Sequence, residues 1–290
     1  MQLRDFLHSI LIIREGLLTV AVGAILALIL PPVLQKTLKH LKKTEPNFRG
    51  DEILTSFGAL IALWAIPMLL EDAWLFPDRR EERFLWVGCV AGFSVLGWID
   101  DTWGDKKSKG LRGHLMSLVQ DRRVTTGLVK AGGGLLLSVW LAHSLAPENL
   151  GRCALMTFLI ALSANAVNLL DLRPGRAGGA FLFAALLIVI LLFLQSHTLF
   201  VPGLLYVILP ALIVWERDSR AEVMMGDTGS NPLGGAIGFA VCLYANLSIQ
   251  IAACLSLVAL HALTERISLT RLIEQVPLLK WLDGMTGERN

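Results

Sequence analysis

Nine stretches of this chain are apolar for long enough to cross a lipid bilayer, and they leave little room for anything else. A helix crossing the hydrocarbon layer needs about 20 mostly apolar residues. The runs fall at residues 15–34, 54–71, 84–99, 127–145, 152–170, 178–195, 199–215, 233–246 and 247–264. They are unbroken, whereas strands of a membrane barrel would alternate in polarity over segments of about ten residues. The sequence therefore predicts an all-α integral membrane protein of about nine transmembrane helices. The polytopic bundle occupies residues 1–264, and a cytoplasmic amphipathic tail follows at 265–290. Hydrophobic residues make up 54% of the chain and charged residues 17%, which excludes an ordinary soluble domain.

Orientation follows from the basic residues beside the span ends. Segments 35–53, 100–126, 171–177, 216–232 and the tail hold most of the Lys and Arg, so these are expected in the cytoplasm, with the N-terminus outside. The opposite side holds Arg4, Arg14 and a loop at 72–83, where Arg79, Arg80 and Arg83 sit among Asp78, Glu81 and Glu82. No cleavable signal is expected, because the first apolar run is long enough to span. Cys89, Cys153, Cys242 and Cys254 are isolated in apolar runs without metal-type spacing and read as small core residues. A net charge of +2 gives no reason to expect nucleic acid as a partner.

Three polar clusters close or open spans on the predicted cytoplasmic face. The first is GWIDDTWGDKKSKGLRGH, with Asp100 and Asp101 at the end of span three. Adjacent carboxylates repel, so such a pair takes up a proton or holds a cation; a plain acidic helix end followed by lysines is the alternative. The second is SANAVNLLDLRPGRAGG, where Asn165, Asn168 and Asp171 recur every three residues and form one polar stripe. Polar groups at membrane depth face a partner or a wet cavity, and an interhelical Asn bond would also account for them. The third is MMGDTGSNPLGGAIG. Here Asn231 is expected to cap a helix with Pro232 in its first turn, leaving Asp227 in a glycine-bracketed turn beside an anion-attracting helix start.

These parts suit phosphoryl transfer, which depends on positioning and on positive charge at the phosphates. Magnesium is held by one or two carboxylates with waters and substrate phosphates, a role open to Asp100, Asp101 and Asp227. A site at the lipid–water boundary implies one membrane-dwelling substrate.

At these clusters the chain resembles the polyprenyl-phosphate N-acetylhexosamine-1-phosphate transferases, the family of the phospho-N-acetylmuramoyl-pentapeptide translocase. The double-Asp motif resembles Asp100-Asp101 followed by Lys109-Gly110-Leu111. An Asn-x-x-Asn-Leu-x-Asp motif matches Asn165, Asn168, Leu169 and Asp171, and Gly-Asp-x-Gly-Ser matches residues 226–230. The resemblance implies attack of a polyprenyl phosphate on a UDP-amino sugar, releasing UMP, in the bacterial plasma membrane. It implies Mg2+ as cofactor, with Asp227 as metal ligand. Asp100, Asp101 and Lys109 would be catalytic, and Arg49, Asn165, Asn168, Asp171 and Ser230 would bind substrate. A homodimer is compatible with it.

The chain also departs from that pattern. Pro174 stands where a uridine-binding carboxylate is expected, Met224 where many members place a stacking Phe, and the His-rich motif of the last cytoplasmic loop is absent. The nucleotide-reading half of the site is therefore expected to be rebuilt. In the tail, Leu269, Leu272, Ile273, Val276, Leu279 and Trp281 have helical spacing interrupted by Pro277. This segment is expected to lie in the interface as an anchor, with a lid over the site as the second reading.

Overall fold

A computed structural model of the protein describes residues 2–104, 125–196 and 202–288. Nine long helices occupy most of the described residues: α1 (Gln2–His40), α2 (Ala59–Leu75), α3 (Arg80–Trp103), α4 (Thr126–Leu145), α5 (Leu150–Leu170), α6 (Arg176–Ser196), α7 (Pro202–Ser219), α8 (Asp227–Tyr244) and α9 (Leu247–Thr264). A two-stranded antiparallel hairpin, β1 (Thr44–Pro46) and β2 (Glu52–Leu54), joins α1 to α2, with Glu45 opposite Ile53. Two short helices, α10 (Leu269–Gln275) and α11 (Pro277–Thr286), form the tail.

Each predicted apolar run overlaps one of the long helices, although 54–58 is strand and turn and 199–201 lies outside the described residues, and the protein is an all-α polytopic membrane protein. Among the described residues, six segments are long and apolar enough to cross a membrane: Thr19–His40, Pro77–Trp103, Thr126–Leu145, Leu150–Leu170, Arg176–Leu194 and Leu247–Thr264. Outward-facing Val20, Leu28, Leu136, Leu194 and Leu255 are all well exposed, as a surface solvated by lipid requires.

The centre of the bundle is α8, which packs most closely against α3 and α5. Its small residues make this approach feasible. Gly234 and Gly238 lie against the α5 backbone near Ser163 and Ile160, and Gly235 lies on the Phe93 ring of α3. Farther along α8, Phe239 meets Trp86 edge to face with ring centroids 4.9 Å apart.

At the end of the bundle away from the clusters, the predicted loop 72–83 is mostly helix, and only Phe76–Arg79 separates α2 from α3. The charges assigned to that loop are partly internal. Arg83 is buried against Asp72, Tyr206 donates to Asp72 at 3.1 Å, and Tyr244 donates to Glu82 at 2.9 Å. Because these groups satisfy one another, the helices run past the point where the hydropathy falls.

Candidate active site at one end of the bundle

Odd-numbered helices from α3 to α7 bring their C-termini to one end of the bundle, and even-numbered helices from α2 to α8 their N-termini. This alternation gathers the three clusters. Asp100 and Asp101 sit in the last turn of α3, Asn168 in the last turn of α5 and Asp171 at its C-cap, and Asp227 opens α8.

Lys130, in the second turn of α4, ties them together. Its ammonium donates to Asp100 at 2.9 Å and is paired with Asp227. Asn168, with its amide oriented as its neighbours require, donates to Asp227 at 2.7 Å and to Ser230 at 2.9 Å, and accepts from Lys130 at 3.1 Å. Four helices thus contribute to one hydrogen-bonded cluster. The sequence reading missed Lys130, although a lone lysine four residues into an apolar run is the kind of group that the membrane tolerates only for a purpose.

Asp101 has a different task from its neighbour. Its carboxylate accepts from Asp227 N (2.9 Å), Thr228 N (3.1 Å) and Thr228 Oγ1 (2.6 Å). The two backbone N–H groups are orphan donors of the first turn of α8, so Asp101 caps that helix from another segment of chain, with the Thr228 hydroxyl adding a third bond. Gly226, at the N-cap position, has φ +71° and offers no side chain of its own. A methyl group there would meet Asp101 Oδ2 at 2.6 Å. Gly97, one turn before Asp101, lies directly against the Asp227 backbone where a side chain would collide.

The start of α8 therefore differs from the expectation that Asn231 caps it. The helix begins at Asp227, and Pro232 lies inside it. Pro232 has no N–H for the Thr228 carbonyl, and Ser94 Oγ donates to that oxygen instead at 3.3 Å. Two side chains of α3, Ser94 and Asp101, thus extend α8 by more than a turn beyond the local sequence signal.

Asp218, at the end of α7, was also missed. It is buried and accepts from Gly175 N at 2.7 Å and Met225 N at 3.1 Å, fastening the α5–α6 turn to the approach to Asp227. Burial and then repulsion from Asp218, Asp227 and Asp101 hold the Asp171 carboxyl well above the ordinary carboxylate range, against a bond from the Gly226 backbone. Lys43, just before the hairpin, donates to Thr102 Oγ1 at 2.8 Å and lies over the Trp98 ring, 5.1 Å from its centroid.

Of the other predicted site residues, Ser230 is fully buried beside Asn168. Asn165 is exposed one turn earlier on α5, outside the hydrogen bonds found among the described residues. Arg49 stands on the tip of the hairpin, paired with Glu288 of the tail. Lys109 lies outside the described residues. Met224 serves through its backbone, accepting from Phe57 N at 3.0 Å and donating to Leu54 O at 2.7 Å.

Around Asp171 and Asp227 carboxylates outnumber cations among the described residues that bond into the cluster, an excess that a divalent ion would relieve. Magnesium needs only one or two such groups, with water and phosphate completing its shell, and the residues present fit it. No ready cage of three or more His, Cys, Asp or Glu side chains exists among the described residues.

The model of glycosyl transferase family 4 matches residues 84–245, more than half the chain, from the second turn of α3 through α8. The chain belongs to that family. Within glycosyl transferase family 4 it is 27% identical over 227 residues to the phospho-N-acetylmuramoyl-pentapeptide-transferase of Thermodesulfovibrio yellowstonii, covering 69% of this chain and 59% of that protein. The enzyme of the same name from Desulfatibacillum aliphaticivorans is 30% identical with the same coverage, 69% and 59%. That from Anaeromyxobacter sp. is 25% identical over 82% of this chain and 75% of its own length. The chain spans about three-fifths of the length of the first two of these relatives. All the site residues that bond to Lys130 fall inside the matched region.

Proposed function

We propose that the protein transfers a sugar-1-phosphate of N-acetylhexosamine type from a UDP-sugar to a polyprenyl phosphate, releasing UMP at the cytoplasmic face of a bacterial plasma membrane. The observation that carries this reading is the convergence of Asp100, Asn168 and Asp227 on Lys130 at one end of the bundle. The likeness to phospho-N-acetylmuramoyl-pentapeptide-transferases supports it.

In the proposed reaction an oxygen of the lipid phosphate attacks the β-phosphorus of the UDP-sugar. A new P–O bond forms, the bond from that phosphorus to the bridging oxygen breaks, and UMP departs with the bonding electrons. Asp100 orients the attacking phosphate and accepts its proton if one is present. Lys130 places positive charge where three phosphates must approach one another. Asp227, with Asp171 beside it, would hold magnesium, which when bound neutralises charge on the pyrophosphate. Asn168 and Ser230 fix the Asp227 carboxylate, and Asp101 acts as a positioning residue by capping α8.

A second reading is a relative that binds polyprenyl phosphate, or assists another envelope enzyme, without transferring sugar. Pro174 favours it, standing where a carboxylate for the nucleotide is expected. One experiment separates the two. Purified protein in detergent is incubated with magnesium, radiolabelled UDP-sugars and undecaprenyl phosphate, and lipid-linked product and UMP are measured. Product formation is expected, and its absence with every common UDP-sugar in a folded sample overturns the transferase reading.

A further inference from the structure

The tail does more than anchor the chain to the interface. From α10 it returns along the α5–α6 turn and reaches the hairpin at Glu288. Arg176, the first residue of α6, makes two bonds to Asp283 at 2.6 and 3.0 Å and a third to Thr270 at 3.3 Å, and both members of the ion pair are largely buried. Trp215 of α7 donates to Gly175 O at 3.0 Å and to Thr286 O at 3.1 Å, joining turn and tail in one contact. Gly175, at φ +73°, lies so close to Thr286 that any side chain would displace the tail. Gly287 is pressed against the carbonyls of Pro174 and Ser219, and Glu288 N donates to Ser219 O at 2.8 Å. Glu288 then pairs with Arg49.

These contacts differ in strength along the tail. The Arg176–Asp283 pair is two-pronged and shielded from water, so it holds α11 in place. The Arg49–Glu288 pair is about two-fifths exposed on both sides, and exposed pairs are weak. The firm point therefore lies at Asp283, and beyond Thr286 the Glu288 backbone stays fastened to Ser219 while its carboxylate reaches Arg49 through the weaker, exposed pair. This end of the tail borders the site, because the α5–α6 turn it crosses is bonded through Asp218 to Met225, two residues before Asp227.

We infer that Glu288 is an internal anion that occupies Arg49 in place of a substrate phosphate, so that the tail is a latch competing with the nucleotide sugar for the site. The inference rests on the transferase reading and on the expectation that Arg49 binds substrate, a role its guanidinium would fill at a phosphate. The bound nucleotide and the latched tail exclude one another at a single guanidinium. Release exposes Arg49 while α11 stays docked through Asp283.

The test uses full-length protein and Glu288→Gln in nanodiscs with magnesium. UDP affinity is measured by calorimetry, and modification of Arg49 by phenylglyoxal is measured by mass spectrometry with and without UDP. Glu288→Gln is expected to label faster at Arg49 and to bind UDP about two- to fivefold more tightly, the range a weak exposed pair permits. UDP is expected to protect Arg49 in both proteins. In an Arg49→Ala background the effect of Glu288→Gln on affinity is expected to vanish. Equal labelling of the two proteins, or equal UDP affinity with binding intact, overturns the latch. Absence of UDP binding to either protein would remove the transferase reading and the latch with it, and is distinguishable from those outcomes.

Discussion

The ammonium of Lys130 is paired with the carboxylate of Asp227, although 97 residues of chain separate them. The same nitrogen holds Asp100 at 2.9 Å. The pair therefore fixes the distance between the two acids to which the proposed reaction assigns different tasks.

Lys130→Met is expected to reduce lipid-linked product formation at least about a hundredfold, the scale seen when one preorganised charge-stabilising group is removed. The lost ion pair leaves Asp100 and Asp227 facing each other without compensation, so a fall in melting temperature should accompany the loss. Lys130→Arg, which keeps the charge, should recover part of the stability but little activity, because a guanidinium cannot sit as a point charge between the two acids. Product assays and differential scanning fluorimetry on the same samples check both statements.

Asp101→Asn should weaken the cap on α8. An amide retains one acceptor oxygen for three donors, and loss of a cap costs about 1 to 2 kcal/mol. A lower melting temperature with a proportionate loss of activity is expected. Asp227→Asn, by contrast, should abolish magnesium-dependent activity while lowering the melting temperature less than Lys130→Met does, because Lys130 keeps its bond to Asp100. If Asp101→Asn left thermal stability intact, the capping role would fail.

Asp171 is held well above its ordinary range in the fold, so the native state binds its proton more tightly than the unfolded chain does. The resulting destabilisation is fully present above the folded value and disappears below the unfolded value of about 3.9. In divalent-free buffer the protein should therefore gain stability as pH falls toward that range. Asp171→Asn should raise the melting temperature at pH 8 and flatten its pH dependence relative to the parent. Thermal melts of the two proteins from pH 5 to 8 give the comparison.

Gly97→Ala places a methyl group against the Asp227 backbone, where nothing flexible can give way. It should force α3 and α8 apart and abolish activity. Gly132→Ala on α4 meets no neighbour within 4 Å and should be nearly silent. Expression, melting temperature and product formation for the two variants would show whether close approach at Gly97 sets the position of Asp227.

The sequence alone determined the fold class and marked three polar clusters, which the structure brings together at one end of the bundle. Runs such as 152–170 must be helices in a bilayer because no water is available there for the backbone; Asn168 stood out as a polar group at membrane depth, Asp100 as one of two adjacent carboxylates at a helix end, and Asp227 as an acid in a glycine-bracketed turn. The sequence did not locate the start of α8 or the tasks of Lys130, Asp218 and Glu288. A local reading began α8 at Pro232, since the groups that extend it back to Asp227, Ser94 and Asp101, lie on α3. It treated the tail as an anchor, since the acids that dock it pair with Arg176 and Arg49, more than a hundred residues earlier. Periodicity and hydropathy report what each segment prefers in its solvent. Which carboxylate meets which cation depends on how nine helices pack, and only the tertiary structure decides that.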